Sequence, residues 1–236
     1  PCYDSPAESA GALVTAFVPG AARGQAALLP GSLDDWVAES NPVRAVDVFV
    51  DIGCNDGTLF KFVDKKIVRI GFDPNDYKKE SIQHADLILN KYFNHGEYKK
   101  TKHGDKKAKV ITSIAMFYDL EKPDSFVSDI RKTLDKDGLW IIQMSYLPLM
   151  LTQLAFDNIC HEHLEYYSLG ALQHLLHKHA FEVVDCELND INGGSFRIYI
   201  RHKNASPATF ATAPYRDVAR ARVQSIFAYE KSLNLQ

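Results

Sequence analysis

Cysteine is scarce in this sequence, and long hydrophobic runs and an excess of positive charge are absent. Cys2, Cys54, Cys160 and Cys186 lie far apart, so no CxxC pair, disulfide framework or zinc-binding set is indicated. No apolar run approaches the ~20 residues of a membrane-spanning helix, and no signal peptide is recognised at the N-terminus. The net charge of −3 gives no general attraction to nucleic acid or anionic membranes. We therefore expect a reduced, cytoplasmic setting without nucleic-acid or membrane partners.

Lysine is missing between Pro1 and Asp51 and is then concentrated between Lys61 and Lys109. We interpret the lysine-rich part as a solvated surface, and a basic patch for a phosphate-bearing substrate is the alternative. The chain of 236 residues is long enough to bury one sizeable core. We predict a partly helical N-terminal segment at 1–44, a central α/β domain at 45–203 and a helical C-terminal extension at 204–236.

Apolar runs alternate with helical patterns from Val46 onward. Strands are predicted in VDVFVDI, IVRIGFD, ADLILNKYF, KVITSIAM and LWIIQMS, and helices in GTLFKFVDK, DSFVSDIRKTLDKDG and SLGALQHLLHKHAF, the last with Ser168 as N-cap. The segments EVVDCEL and SFRIYIRH flank a polar turn and predict an antiparallel hairpin. The pattern predicts an α/β fold: a doubly wound, Rossmann-like, mostly parallel seven-stranded sheet with an antiparallel C-terminal hairpin strand.

A glycine-containing turn follows the first predicted strand in VDIGCNDGTLF. Gly53 and Gly57 would permit a tight turn and the close approach of a ligand, and Asp73 follows the second strand about twenty residues later, where an acid commonly binds ribose hydroxyls. Asp51 and Asp56 would repel a diphosphate. The turn therefore favours a nucleoside-containing cofactor without phosphate, such as S-adenosylmethionine, over a turn that serves only strand-to-helix packing.

Three segments carry a resemblance to a known family. DIGCNDGTLF resembles the first motif of class I S-adenosylmethionine-dependent methyltransferases, and FDNICHEHLEYYSLGAL with NDINGGSFRIYI resembles the nucleotide-sugar C-methyltransferases, over roughly Val46 to His202. Those enzymes methylate a carbon of nucleotide-linked keto-deoxysugars. Their cysteine-rich zinc module and second large domain have no counterpart here, and Cys160 and Asn192 replace a family tyrosine and histidine. We expect a compact relative or one domain of a larger protein.

The resemblance implies that 45–203 is a methyltransferase domain that uses S-adenosyl-L-methionine and releases S-adenosyl-L-homocysteine. The predicted cofactor-binding residues are Asp51, Gly53, Asn55, Asp56, Gly57, Thr58, Asp73, Pro74, Phe93, Ser113, Met116 and Phe117. For Met116 and Phe117, a role in the hydrophobic core is an equal alternative.

The family's histidine element supplies the predicted catalytic residues His161, Glu162 and His163. A carbon next to a ketone must lose a proton before it can attack a methyl group, and a histidine suits that task near neutral pH. By resemblance the base is His163, with Glu162 orienting a neighbour or the substrate. If CHEHLEY is extended, His161 and His163 share one face, and a metal pair without an obvious third ligand is the alternative.

The predicted substrate-binding residues are Tyr166, Asn192, Ser195 and Arg197. The alternatives are a plain hairpin turn at Asn192–Ser195 and a solvent-facing Arg197. The predicted function is methyl transfer to a sugar-like or keto acceptor, through an enolate formed by a histidine base, in sugar modification. Alternatives are O-methylation of a small molecule or sugar, a non-catalytic S-adenosylmethionine-binding domain of a larger assembly, and a nucleotide-dependent oxidoreductase.

Overall fold

The computed structural model describes residues 47–76, 83–205 and 213–234, so the predictions for the segment 1–44 lie outside the described residues. Seven strands of the described chain form one sheet in the order β3-β2-β1-β4-β5-β7-β6. They are β1 Val48–Ile52, β2 Val68–Phe72, β3 Leu87–Leu89, β4 Ala108–Ile114, β5 Leu134–Ser145, β6 Phe181–Asn189 and β7 Ser195–His202.

The first five strands are parallel, and β7 runs antiparallel to both β5 and β6. The predicted fold, including the antiparallel C-terminal hairpin, is confirmed. Strand β1 lies between β2 and β4, so the chain order reverses there. In such sheets a ligand binds beyond the carboxyl ends of the strands at the reversal, and this places the expected site beyond Ile52.

Helices cover both faces of the sheet. The α-helices of the described residues are α1 His95–Lys99, α2 Pro123–Thr133, α3 Leu147–Gln153, α4 Leu169–Lys178 and α5 Ala213–Ser232. Short 3-10 helices occupy Thr58–Phe62, Phe117–Asp119, Phe156–Asn158 and Ile191–Gly193. Within the described ranges, none of the helices combines the length and apolarity that crossing a bilayer demands.

The main core lies between the sheet and helices α2 and α4. Trp140 on β5 and Phe196 on β7 are fully buried there against Ile130 of α2 and Leu172 of α4. Alternate residues of a strand point to opposite faces, so Ile141 instead joins a smaller cluster with residues of β7 and α5 on the other face. Helix α5 thereby covers the β6–β7 edge.

Two predicted helices differ from the structure. The helix predicted to run to Gly138 ends at Thr133, because β5 already begins at Leu134, which pairs with Ala108. The helix predicted from Gly57 is only the short 3-10 helix at Thr58–Phe62. Its two buried residues, Leu59 and Phe60, complete a small cluster, and the chain then becomes extended.

Candidate active site

The turn after β1 has a backbone that few side chains tolerate. Gly53, Asn55 and Gly57 have φ angles of 74°, 48° and 72°. A Cβ atom on Gly53 would lie 3.1 Å from Cγ of Met116, and the Gly53 amide donates to the carbonyl of Phe72 at 2.8 Å. The turn is therefore held against the ends of β2 and β4 and needs glycine at its first position.

Asp73 joins the turn to the end of β2. Its Oδ2 accepts a hydrogen bond from the Asn55 amide at 2.9 Å, and its Oδ1 accepts one from the Asn75 amide at 2.8 Å. The carboxylate is buried, and each oxygen keeps a further lone pair that can accept a hydroxyl hydrogen. This arrangement fits the ribose of a nucleoside cofactor.

Asp51 is a second buried carboxyl group at this edge. Its Oδ1 accepts a hydrogen bond from Oγ1 of Thr112 at 2.6 Å. Burial raises the pKa of Asp51 to about 7, the Thr112 hydrogen bond opposes this, and the charge of Asp73 adds to it. A cationic ligand nearby would favour the ionised carboxylate, whereas a diphosphate would not.

Asp56 and Thr58 stabilise the turn from its exposed side. The Thr58 amide and hydroxyl donate to the two Asp56 carboxylate oxygens at 2.9 and 2.8 Å. These hydrogen bonds lower the pKa of Asp56. The pair therefore fixes the start of the 3-10 helix that follows.

An open groove of about 440 Å³ begins at Pro74, beside Asp73. Its other lining residues are Asn90, Lys91, Tyr92, Asn94 and Glu97. Sequence reasoning named Pro74 but none of these five. Their signal was available, because they follow β3 at the sheet edge where Asp73 follows β2.

Three predicted cofactor residues lie in the core instead of at the edge. Ser113 is fully buried and accepts a hydrogen bond from Nε1 of Trp140 at 3.1 Å. The ring of Phe117 is fully buried against Trp140, and Phe93 packs on Phe72 with ring centroids 5.1 Å apart. Met116, in contrast, is half-buried and approaches Gly53.

The predicted base His163 lies in the loop before α4. Its Nδ1 lies 2.8 Å from the carbonyl oxygen of Asn158. A carbonyl only accepts hydrogen bonds, so Nδ1 carries the proton of the neutral ring and Nε2 is the basic nitrogen. The half-buried ring packs against Tyr118 with centroids 4.2 Å apart.

His161 and Glu162 point into solvent. Their side chains are 91% and 74% exposed, with Nε2 and Oε1 3.9 Å apart. Residues 161–162 form a turn, so the expectation that an extended CHEHLEY places His161 and His163 on one face is wrong. The described residues contain no cluster of three His, Cys, Asp or Glu side chains suited to a metal ion.

Asp119 is not among the predicted site residues, although it lies only two residues after Phe117. Burial raises its pKa, an effect that His163 opposes and Glu162 reinforces. Asp119 is exposed, and its charge interacts with that of His163. Asn158, also missed, connects this ring with two other elements.

The four predicted substrate residues differ in accessibility. Tyr166 is half-buried and donates to the Asn158 carbonyl at 3.4 Å, and the exposed Asn192 lies in the turn before β7 with φ of 52°. Ser195 is buried and donates to the Ile191 carbonyl at 2.7 Å. Arg197 is only 8% exposed, so the solvent-facing alternative is wrong.

Comparisons with known proteins identify the class. The family model described as "Methyltransferase domain" matches residues 28–185. C-methyltransferase NovU of Streptomyces niveus is 30% identical over 164 residues, which cover 65% of this chain and 37% of that protein. This chain thus spans little more than a third of the relative's length.

Two solved structures share the fold. A methyltransferase in complex with the Trm112 methyltransferase activator of Haloferax volcanii has a TM-score of 0.53 at 13% identity, covering 68% of this chain and 84% of its own. The mitomycin 7-O-methyltransferase MmcR has a TM-score of 0.50 at 13% identity, covering 67% and 49%. The chain belongs to the methyltransferase-domain family. By family and fold it is a class I S-adenosylmethionine-dependent methyltransferase, and S-adenosyl-L-methionine is its cofactor.

Proposed function

We propose that the chain catalyses C-methylation of a keto acceptor, a sugar linked to a nucleotide, with His163 as the base. The observation that carries the proposal is the orientation of the His163 ring, whose Nδ1 is held by a carbonyl while Nε2 remains the basic nitrogen. The similarity to a protein named as a C-methyltransferase supports it. The resemblance to enzymes of keto-deoxysugars, stated above, suggests the acceptor class.

On the cofactor side, Asp73 would accept the ribose hydroxyls and the turn at Gly53 would admit the amino-acid portion close to the backbone. The two lone pairs left on Asp73 and the space that a Gly53 side chain would fill support this fit. Asp51 would lie near the positive charge of the bound cofactor. Bound S-adenosylmethionine supplies a methyl group whose bond to sulfur breaks as the new bond forms.

On the acceptor side, Nε2 of His163 would remove the proton from the carbon next to the ketone. The electrons of that C–H bond form the enolate, and the imidazole holds the proton as a cation. Tyr166 and Asn192 would contact the acceptor, while Ser195 and Arg197 would shape the site through their buried hydrogen bonds.

The cellular setting is part of the proposal. The described cysteines Cys54, Cys160 and Cys186 are free thiols. Free thiols are typical of a reducing compartment, which supports a cytoplasmic reaction. Partners would be the small-molecule acceptor and other domains of a larger protein.

The substitution His163→Ala tests the base. Turnover with a nucleotide-linked keto-deoxysugar is expected to fall about 10²–10⁴-fold, the usual contribution of a positioned base. The affinity for S-adenosylhomocysteine is expected to change by less than about twofold. Exchange of the acceptor's α-proton with deuterated water, measured by NMR with S-adenosylhomocysteine bound, is expected to disappear. His174→Ala is the matched control, because His174 is exposed on α4.

Two results would contradict this mechanism. Exchange at the original rate in His163→Ala would place the base elsewhere. Methylation of a hydroxyl by the unaltered protein, without α-proton exchange, would make the reaction O-methylation.

A further inference from the structure

Asn158 is the centre of the hydrogen bonds on the acceptor side. Its carbonyl oxygen accepts from Nδ1 of His163 at 2.8 Å and from the Tyr166 hydroxyl at 3.4 Å. Its side-chain Oδ1 accepts from Oγ of Ser145 at 2.9 Å, and its Nδ2 donates to the Asn192 carbonyl at 2.9 Å. One residue therefore contacts the base, a predicted substrate residue, the end of β5 and the turn before β7.

The orientation of the Asn158 amide is fixed by its partners. The Asn192 carbonyl only accepts, so the NH₂ group must face it and the oxygen must face Ser145. Ser145 in turn pairs with Ser195 in the sheet. The side chain of Asn158 thus ties its own main chain to the end of β5 and to the turn that leads into β7.

Few side chains of the segment around Asn158 are buried. In the fully described stretch from Leu151 to Tyr166, Asn158 is the one buried residue. Phe156 and Ile159 on either side are 69% and 64% exposed. Apolar burial therefore contributes little here. Besides the Asn158 side chain, the segment is held by the Leu164 and Glu165 amides, which both donate to the Tyr118 carbonyl at 3.0 Å, and by the His163 ring on Tyr118.

We propose that Asn158 is the positioning residue for His163, so that its carbonyl selects the Nδ1–H tautomer and its side chain fixes where that carbonyl lies. The proposal rests on the proposed function only in taking His163 as the base. Asp119, whose charge interacts with that of His163, is not a hydrogen-bond partner of Asn158. The Asn158 carbonyl is thus the main-chain acceptor that decides which ring nitrogen is basic.

The tautomer is measured first, by nitrogen NMR of histidine-labelled full-length chain with S-adenosylhomocysteine bound. The unaltered protein is expected to show His163 protonated at Nδ1. Asn158→Ala keeps the carbonyl but removes both side-chain anchors, and a mixture of tautomers is expected. Ser168→Ala, which removes the N-cap of α4, controls for a loss of stability and is expected to leave the His163 signals unchanged.

Activity is measured second. Asn158→Ala is expected to lower kcat by about 10–100-fold, the scale for a misplaced catalytic group, with an unchanged KM for S-adenosylmethionine. Ser145→Ala removes one of the two hydrogen bonds of the Asn158 side chain. It is expected to shift the His163 tautomer and to lower kcat in the same direction as Asn158→Ala, but by a smaller amount. If Asn158→Ala fails to fold, Ser145→Ala decides.

A proton on Nε2 in the unaltered protein would overturn the proposal, and so would a loss of activity in Asn158→Ala with unchanged His163 signals. Failure of the proposed function gives a different result. The unaltered protein would then methylate no keto acceptor, while the NMR measurement would still show whether Asn158 sets the tautomer.

Discussion

Two buried carboxyl groups at the carboxyl edge of the sheet are held in different ways. Asp73 accepts two main-chain hydrogen bonds, which fix it between the glycine turn and the chain after β2. Asp51 accepts one hydroxyl hydrogen bond, and burial raises its pKa to about 7. The first is suited to a ligand's hydroxyl groups, and the second changes charge near neutral pH.

The substitution Asp73→Ala is expected to weaken S-adenosylhomocysteine binding by roughly 1.5–3 kcal/mol, the scale for hydrogen bonds to a charged group. Isothermal titration calorimetry measures the affinity directly. Asp76→Ala is the matched control, because Asp76 is exposed three residues further along the chain. Equal affinities of the Asp73→Ala and unaltered proteins would remove Asp73 from the ribose site.

Gly53→Ala is expected to lower the free energy of unfolding by about 1–2 kcal/mol, the cost of a left-handed conformation with a Cβ atom. The new methyl group would also press on Met116. Gly53→Val should damage cofactor binding further, because its larger side chain occupies the approach to the turn. Denaturant unfolding and calorimetry separate the two effects.

Gly96→Ala is the control for Gly53, because Gly96 lies in α1 and has no positive φ. A Cβ there would lie 3.1 Å from Oδ1 of Asn94, as close as a Cβ on Gly53 lies to Met116. The two variants therefore differ mainly in the sign of φ, and Gly96→Ala is expected to cost less stability than Gly53→Ala. A Gly53→Ala protein as stable as the Gly96→Ala protein would show that the turn tolerates a side chain.

At the scale of elements, the N-terminus of helix α4 is capped by a carboxylate from helix α5. Glu230 of α5 is fully buried. Its oxygens accept hydrogen bonds from the main-chain amides of Leu169 and Gly170 and from the Tyr146 hydroxyl. The negative charge also lies at the positive end of the α4 dipole. This contact joins α5 to the loop that carries His163.

Glu230→Gln is expected to lower the free energy of unfolding by about 1–3 kcal/mol, because an NH₂ group replaces one acceptor oxygen and leaves a buried donor without its partner. Denaturant unfolding measures the change, and hydrogen exchange of the Leu169 and Gly170 amides shows whether it arises at α4. Glu165→Gln, at an exposed position, is the control. Unchanged exchange at α4 would contradict a capping role for Glu230.

The sequence predicts the elements that depend on local signals. Ser168 caps α4 as predicted and accepts a hydrogen bond from the Ala171 amide at 3.2 Å. This cap could be predicted because the residues that form it lie within four positions of one another in the sequence. The end of α2 was predicted too late, because the start of β5 depends on distant Ala108 and on an ion pair between Lys109 and Asp135. No local pattern records such contacts.

The same distinction divides the candidate site. Asp73 can be predicted at this edge of the sheet because it follows a strand, and the strand-end rule needs only the order of elements. Asn158 was missed because its side-chain partners Ser145 and Asn192 are 13 and 34 residues away. The burial of Ser113 could not be predicted, because nothing in the sequence shows its contact with Trp140.

At the scale of the whole molecule, the free energy of unfolding depends on pH through buried titratable groups. A buried carboxyl group and buried histidines change it in opposite directions as pH rises. The folded protein keeps the Asp51 proton up to about pH 7, and the unfolded chain releases it near the ordinary 3.8. The folded state therefore binds more protons between these values, and this contribution to stability falls as pH rises. Burial lowers the pKa of His95, His103 and His202, so their contribution rises with pH up to their ordinary value.

Comparing the unaltered protein with Asp51→Asn isolates the carboxyl group, because the histidines are common to both. As pH rises from 5 to 7, the unaltered protein is expected to lose stability relative to the variant, by at most about 1.4 kcal/mol per pH unit. Urea unfolding at several pH values measures the difference. Parallel curves for the two proteins would show that Asp51 is ionised throughout this range.

The position of β7 between β5 and β6 has a consequence for synthesis on the ribosome. Strand β5 is complete at Ser145, but its partner β7 ends only at His202. While the intervening residues emerge, β5 presents an unpaired and largely apolar edge, the kind of surface through which nascent chains associate. The residues around Asn158 and His163 are made during this interval. The hydrogen bond between Asn158 and Asn192 forms only when the hairpin closes the sheet.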